Sequence, residues 1–421
     1  MKKLHNKLFS LLIFTLTFLG LIVFSFPDLT YAQTTRATTL KVALFPYIPD
    51  SLQDQYEELL HRIESEFEKE NPEIDLKLKP LDPNEEGFYD IKTLKEWLSN
   101  SPREGGYDLV EVDTLLLDDL VKANVAKVWD EPQNTEDWHP AALKAVTINE
   151  KIYGIPHLLC GHFLFSYNEK VAQATSVDEL SAILNEITPE IPNLAGNLTG
   201  SWNLPALYLD AWADTYGVDD INSALSNNLD EKVMRYFGEF AENCQARDVN
   251  PCFTDYSNQD MGADVFIENK VDVFFGYSER LNYILKKGGN SQVKLAPLPL
   301  GENNKPLLFT DALVLRQDCD QFCLNAANKF AAYLNAPATQ EWILSSKDAE
   351  KKDAEKNAIP PIPRYLIPAT HSAFTNSLKQ DIYYQTLEKA IKNGSPYPNS
   401  GFPGIRRNLK YLLLKALHPS P

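Results

Sequence analysis

The stretch that decides the fold is "IYGIPHLLCGHFLFSYNEK", residues 152–170. An apolar strand is broken by Gly154, Ile155 and Pro156 and then resumes, ending in the polar run Tyr167, Asn168, Glu169, Lys170. Glycine and proline punctuate strands, so the segment reads as a strand pair with a change of direction between its halves. Cys160 stands in the middle, between Leu159 and Gly161. A cysteine in such a setting is ordinarily a buried, inert thiol.

Working outward, "TLKVALFPYIP" (39–49) reads as a buried first strand, and 52–71 repeats apolar residues at helical spacing: Leu52, Tyr56, Leu59, Leu60, Ile63, Phe67. "IDLKLKPL" alternates as a strand, "TLKEWLSN" reads as a short helix, and "YDLVEVDTLLLDDLV" as a strand running into a helix. Strand and helix in alternation are the pattern of a parallel sheet. Beyond the central stretch come a mostly helical segment, 176–243, the short strands "KVDVFFGY" and "VKLAPLPL", the strand "LLFTDALVLRQ" and a helix over 324–335. From 337 onward the reading is helical with proline-rich breaks. No internal repeat and no Gly-rich phosphate loop occur. His157 and His162 flank Cys160 without a second ligand pair, and a strand would send odd and even positions to opposite faces, so no metal is expected.

At the N-terminus Lys2, Lys3 and Lys7 precede an apolar run, 8–26, followed by Thr30, Tyr31 and Ala32. This is the pattern of a secretory signal peptide over 1–32; the competing reading is a membrane anchor. Cleavage leaves 389 of the 421 residues and moves the formal charge from −18 to −20, because the leader carries three lysines and one aspartate. A chain of that length is expected to form two domains, and its acidity argues against nucleic acid and anionic lipid as partners. Five cysteines in an exported chain leave one over. Cys244 with Cys252, and Cys319 with Cys323, are close enough in sequence to pair, with Asp318 and Asp320 placing Cys319 at a helix start. Cys160 remains as a free thiol.

The order of elements together with "YGIPHLL…LFSYNEKV" resembles the type II periplasmic binding proteins, an α/β, two-lobed fold with a ligand cleft between the lobes. That resemblance implies one lobe from 38–155 and 297–345 and another from 156–296 and 346–421. Within that fold the closer likeness is to the thiaminase I (thiamine pyridinylase) family. It is carried by the cysteine after the crossing, the Tyr-Ser-Glu of "FFGYSERL", the aspartates of "FTDALVL" and "VEVD", and the early "FPYIP". The resemblance implies Cys160 as nucleophile and Glu279 as base, with Tyr47, Asp113, Tyr277 and Asp311 lining a thiamine cleft. It implies no cofactor, and a cosubstrate that is an amine, pyridine or thiol. It implies a secreted or periplasmic monomer with no stable membrane anchor after signal cleavage. Phe309 stands where the family pattern admits Tyr, so no hydroxyl is available there.

The chemistry also follows from the residues. Substitution at the methylene of thiamine needs a soft nucleophile, and a thiol serves once its proton is removed. Near Cys160 the sequence offers no basic residue except His157, His162 and Lys170, which leaves a carboxylate as the remaining base. Tyrosine faces attract a cation by about 0.5–2 kcal/mol each. The bland alternatives are equally concrete: Glu279 as a helix-start acid, Asp113 as a helix cap, and Trp202 and Tyr208 as core aromatics. The alternative function is a noncatalytic solute-binding component of a transporter for thiamine or another cation. A nucleophile and a base in one cleft separate the two.

Overall fold

The computed structural model describes residues 38–417 apart from 83, 85–86, 188–192, 245–249, 254–260, 290–291 and 350–360. The expected signal peptide and its apolar run lie outside the described residues. The strands are β1 (Thr38–Ala43), β2 (Ile74–Leu78), β3 (Leu109–Asp113), β4 (Thr147–Ile148), β5 (Lys151–Ile152), β6 (Ile155–Cys160), β7 (His162–Ser166), β8 (Leu194–Ala195), β9 (Val273–Tyr277), β10 (Lys294–Pro297), β11 (Leu307–Leu315), β12 (Ile367–Pro368) and β13 (Ser395–Pro396). A seven-stranded sheet runs β12-β6-β11-β3-β1-β2 with β13 paired to β11. A four-stranded sheet runs β10-β7-β9-β8, and β4 with β5 forms a separate hairpin. Both sheets lie in one compact unit that begins at Thr38.

The first sheet is mixed. β1 pairs in parallel with β2 and β3, as the strand–helix alternation leads one to expect, whereas β11 lies antiparallel between β3 and β6. All nine residues of β11 are buried, which is why it reads as an unbroken apolar run. Pro156 sits inside β6 and has no N–H to give; the register on β11 slips there, Asp311 facing Leu158 and Ala312 facing Pro156, so that His157 is the extra residue. Pro156 therefore bends β6 without ending it, whereas Gly154 lies in the break between β5 and β6. Sheet membership changes at Gly161, not between 155 and 156, and the chain returns between β10 and β11. β12 and β13 join the first sheet, although the proline-rich C-terminal segment reads as helical.

The first helix spans Glu57–Glu70 and starts later than the apolar spacing suggests. Asp50 is the cause: its carboxylate accepts the N–H groups of Leu52, Gln53 and Gln55 at 2.9, 2.8 and 2.8 Å, holding them in a turn with Gln53 and Gln55 at positive φ. At the other end of the chain, the helix Gln321–Leu334 starts earlier than expected because Asp320 accepts the N–H groups of Phe322 and Cys323 at 3.0 and 2.9 Å. That cap places Cys319 beside Cys323, Cα to Cα 5.4 Å, in a disulfide; Cys244 and Cys252 form the second, and Cys160 is free.

A buried ion pair fixes the loop after β1. Arg364 is wholly buried, meets both oxygens of Asp348 at 2.6 Å and donates from Nε to the carbonyl of Pro49 at 3.0 Å. Removing one partner strands a charge in the core. Asp348→Ala is expected to lower the unfolding free energy by roughly 3–5 kcal/mol in urea titration, whereas an exposed pair such as Lys92 with Glu96 is expected to be worth under about 1 kcal/mol.

Candidate active site

Three strand ends of the larger sheet meet at one edge. β3 ends at Asp113 and β6 at Cys160; because β11 runs antiparallel to both, its early residues lie beside them. Asp311 stands directly opposite Asp113, and Phe309 directly opposite Cys160. In the smaller sheet β7 begins at His162, whose register partner is Tyr277, the last residue of β9. Gly161 alone joins the two sheets here. A Cβ at that position would lie 3.1 Å from the carbonyl oxygen of Leu307, so a side chain there would push β11 back by a few tenths of an ångström.

Glu279 follows Tyr277 by two residues and occupies the N-cap of the helix Arg280–Lys286, yet its side chain makes no capping hydrogen bond. Asp113 caps the turn that follows β3. One oxygen accepts the N–H of Leu115 at 2.9 Å as a cap, and the other accepts the Tyr89 hydroxyl at 3.3 Å. The Tyr277 hydroxyl donates to Asn203 at 3.0 Å, and its ring stacks on His162 at 4.8 Å. Tyr47 belongs to a row of aromatic rings, 4.7 Å from Phe45 and 5.8 Å from Tyr89, with Tyr89 4.9 Å from Trp202. Trp202 thus belongs to this row, while Tyr208 is fully buried and its hydroxyl accepts the N–H of Asp230 at 2.9 Å, a core role.

The electrostatics bind these residues into one cluster. Burial pushes the Cys160 thiol well above its ordinary value; Glu279, Asp311 and Asp113 push it the same way, and Arg280 opposes them. Asp113 rises from 3.8 to about 7, driven by burial against the pull of its Leu115 and Tyr89 hydrogen bonds. Asp311 is likewise raised well above the ordinary carboxylate range, by burial and then by Asp113, Glu111 and Glu279. Tyr277 and Tyr89 are raised by burial first, and both also feel Cys160. Four of the expected site residues, Glu279, Asp113, Asp311 and Tyr277, therefore lie within electrostatic reach of a fifth, Cys160. Tyr47 stands one ring further out. The arrangement holds a neutral thiol beside carboxylates that a bound cation would stabilise in their charged form. Among the described residues, no group of three or more His, Cys, Asp or Glu side chains is placed to hold a metal ion.

A family model described as bacterial extracellular solute-binding protein matches residues 92–346. The chain belongs to that family. Among relatives of this chain, Thiaminase-1 of Paenibacillus thiaminolyticus is 22% identical over 372 residues, 85% of this chain and 82% of that protein. Among solved structures, Clostridium botulinum thiaminase I in complex with thiamin is similar at TM-score 0.69 and 19% identity, covering 90% of this chain and all (100%) of that one. The sugar-binding protein MalE from Xanthomonas citri is similar at TM-score 0.68 and 13% identity, covering 91% and 92% of the two chains. The resemblance to thiaminase I thus extends over most of the chain, and the fold is that of the solute-binding proteins.

The structure also brings in residues that the sequence reading passes over. Tyr89 lies in an irregular loop with no periodic signal, and Tyr397 stands between prolines in "SPYPNSGFP". Asp210 was discoverable: it is a carboxylate in the middle of "LPALYLDAWAD", a helix buried on nearly every side, where an acid must have a partner.

Two outcomes follow for this cluster. Iodoacetamide is expected to label Cys160 alone in the native oxidised protein, faster as pH rises because the thiolate is the reactive form; peptide mapping showing Cys160 in a bridge would contradict this. A carboxylate whose folded pKa, about 7, exceeds its unfolded value contributes stability that is complete below the unfolded pKa and lost as pH rises through the folded one. Unfolding titrations of the unliganded protein should therefore show stability falling between about pH 4 and 7, and Asp113→Asn should flatten that fall.

Proposed function

We propose that this chain is a secreted thiaminase I, a transferase that displaces the thiazole of thiamine through a Cys160-linked pyrimidine and passes the pyrimidine to an amine, thiol or water. The observation that carries the reading is the convergence of the free cysteine with Glu279, Asp113 and Asp311 at the strand ends. In this reading the lobes are built on the two sheets and divide at Gly161 and between β10 and β11, with thiamine held between them.

Thiamine arrives as a cation. Its charge offsets the repulsion among the carboxylates, and Tyr89, Tyr277, Trp202 and Tyr47 supply aromatic faces for it. Asp113 and Asp311 accept hydrogen bonds from the exocyclic amine of the aminopyrimidine and hold it in register with Cys160. Glu279 takes the thiol proton as Cys160 sulfur bonds to the pyrimidine ring. The bond from the methylene to the thiazolium nitrogen then breaks, and its electron pair leaves with a neutral thiazole. The free thiol is held protonated by its surroundings, so proton removal is tied to substrate arrival.

The second reading, a noncatalytic binding component of a transporter, draws on the family and on the likeness to MalE. Incubation of purified protein with thiamine and pyridine, following thiazole release, decides between them: tight binding without consumption favours the transporter component. Cys160→Ser is expected to bind thiamine and release no thiazole. Glu279→Gln is expected to lose roughly 100-fold to 10,000-fold in rate with little change in thiamine affinity, and to recover partly at high pH. Because burial, Asp311 and Asp113 still raise this thiol when Glu279 is gone, the recovery should begin above about pH 8.5, the value of an ordinary cysteine.

A further inference from the structure

Two residues past Cys160, the mechanism leaves a buried histidine unused. His162 Nδ1 lies 2.7 Å from Asp210 Oδ2, and the Tyr397 hydroxyl donates to the same oxygen at 2.8 Å. Both His162 and Asp210 are more than nine-tenths buried, at 5% and 6% exposure. The imidazole is packed against Tyr277 at 4.8 Å and Phe309 at 5.8 Å, and Phe309 is the residue opposite Cys160. A carboxylate on Nδ1 makes that nitrogen the protonated one, so Nε2 carries the lone pair. Nε2 is buried and has no hydrogen-bond partner among the described residues. His162 also lines a cavity of about 20 Å³, together with Asn197, Asn203, Tyr277 and Arg280. A water needs roughly 10–15 Å³ of such space and two or more polar partners, so this cavity accommodates a water. Tyr277 is shared between the cavity and the thiol, within electrostatic reach of Cys160 and Glu279.

The proton balance of the transfer gives this arrangement a task. In the first half, Glu279 keeps the thiol proton, because thiazole leaves neutral. In the second half the acceptor bonds to the methylene, Cys160 sulfur departs, and Glu279 returns the proton to it. With pyridine as acceptor the account is closed, since the product is a pyridinium cation. With water one further proton must go elsewhere. Building on the thiaminase reading, we propose that His162, held by Asp210, is the base that activates water in the hydrolytic branch of the transfer. Nε2 takes the water proton as the carbon–oxygen bond forms and the carbon–sulfur bond breaks; the resulting imidazolium is paired with the Asp210 carboxylate.

The test compares two acceptors in the full-length protein: thiamine with saturating pyridine, and thiamine in buffer with no organic nucleophile, each followed by thiazole release. In His162→Gln the ratio of pyridine-dependent to water-dependent turnover is expected to rise about 100-fold, the scale of a lost general base. Asp210→Asn, which leaves Nδ1 a neutral partner, is expected to raise the same ratio in the same direction, and it serves if the first variant does not fold. Equal losses with both acceptors would mean that His162 only holds the Tyr277 ring, and an unchanged ratio would remove it from the chemistry; either overturns the proposal. Wild-type turnover with pyridine but none with water would overturn this inference alone. No thiazole release with either acceptor would instead defeat the thiaminase reading itself.

Discussion

Asp113 and Asp311 face each other across adjacent antiparallel strands inside the protein. Like charges directly opposite in a sheet are destabilising, and burial adds the cost of desolvation, so the empty site holds protons that an exposed carboxylate would have lost. The rest of the site answers that constraint. The Tyr89 hydroxyl and the Leu115 N–H both donate to Asp113, and aromatic rings lie beside the space where a positive charge would relieve the repulsion. The same strain keeps the neighbouring thiol protonated. In the proposed reaction a cationic ligand would change two things at once: it would release the carboxylates to ionise and lower the barrier to forming the thiolate.

The scaffold brings these groups together through a small number of backbone features. β11, antiparallel between β3 and β6, carries Phe309 and Asp311 to the edge where Cys160 and Asp113 end their strands. The slip at Pro156 shifts the residues beyond it by one along β11, which sets the pairing of Phe309 with Cys160. The loop carrying Tyr47 is held from below by Arg364 at Pro49, and Lys286 reaches the Asp50 carbonyl from the helix that Glu279 begins. The loop carrying Tyr47 and the helix that Glu279 begins are thus tied to one another through Asp50 and Lys286. Beneath the edge, Glu111 bridges His157 at 2.5 Å and the Phe45 N–H at 2.9 Å, a fully buried pair that anchors β3 to β6 and to the loop after β1.

A scaffold shared with sugar-binding relatives does not itself specify chemistry; the side chains at the strand ends do. At those ends this chain carries a thiol, three carboxylates and tyrosines, a set suited to a cation and to proton transfer. The neighbouring Asp210, His162 and Tyr397 form a second polar network in an otherwise apolar region, and buried polar groups persist where each finds a partner or a task.

Much was legible in the sequence because it rests on local rules. Alternation and helical spacing marked the strands and helices, the odd cysteine count singled out Cys160, and the aspartate before Cys323 marked the capped turn where a short bridge could close. The bounds of the elements were less secure, since a single carboxylate, Asp50, captured the donors that would have extended the first helix. The opposition of Asp113 and Asp311, the register that sets Phe309 against Cys160, and the pairing of His162 with Asp210 belonged to the tertiary structure alone. Each joins residues tens to hundreds of positions apart, and what decides them is strand direction and the one-residue slip at Pro156. No short-range pattern encodes either, because the partner strand is supplied by a distant part of the chain.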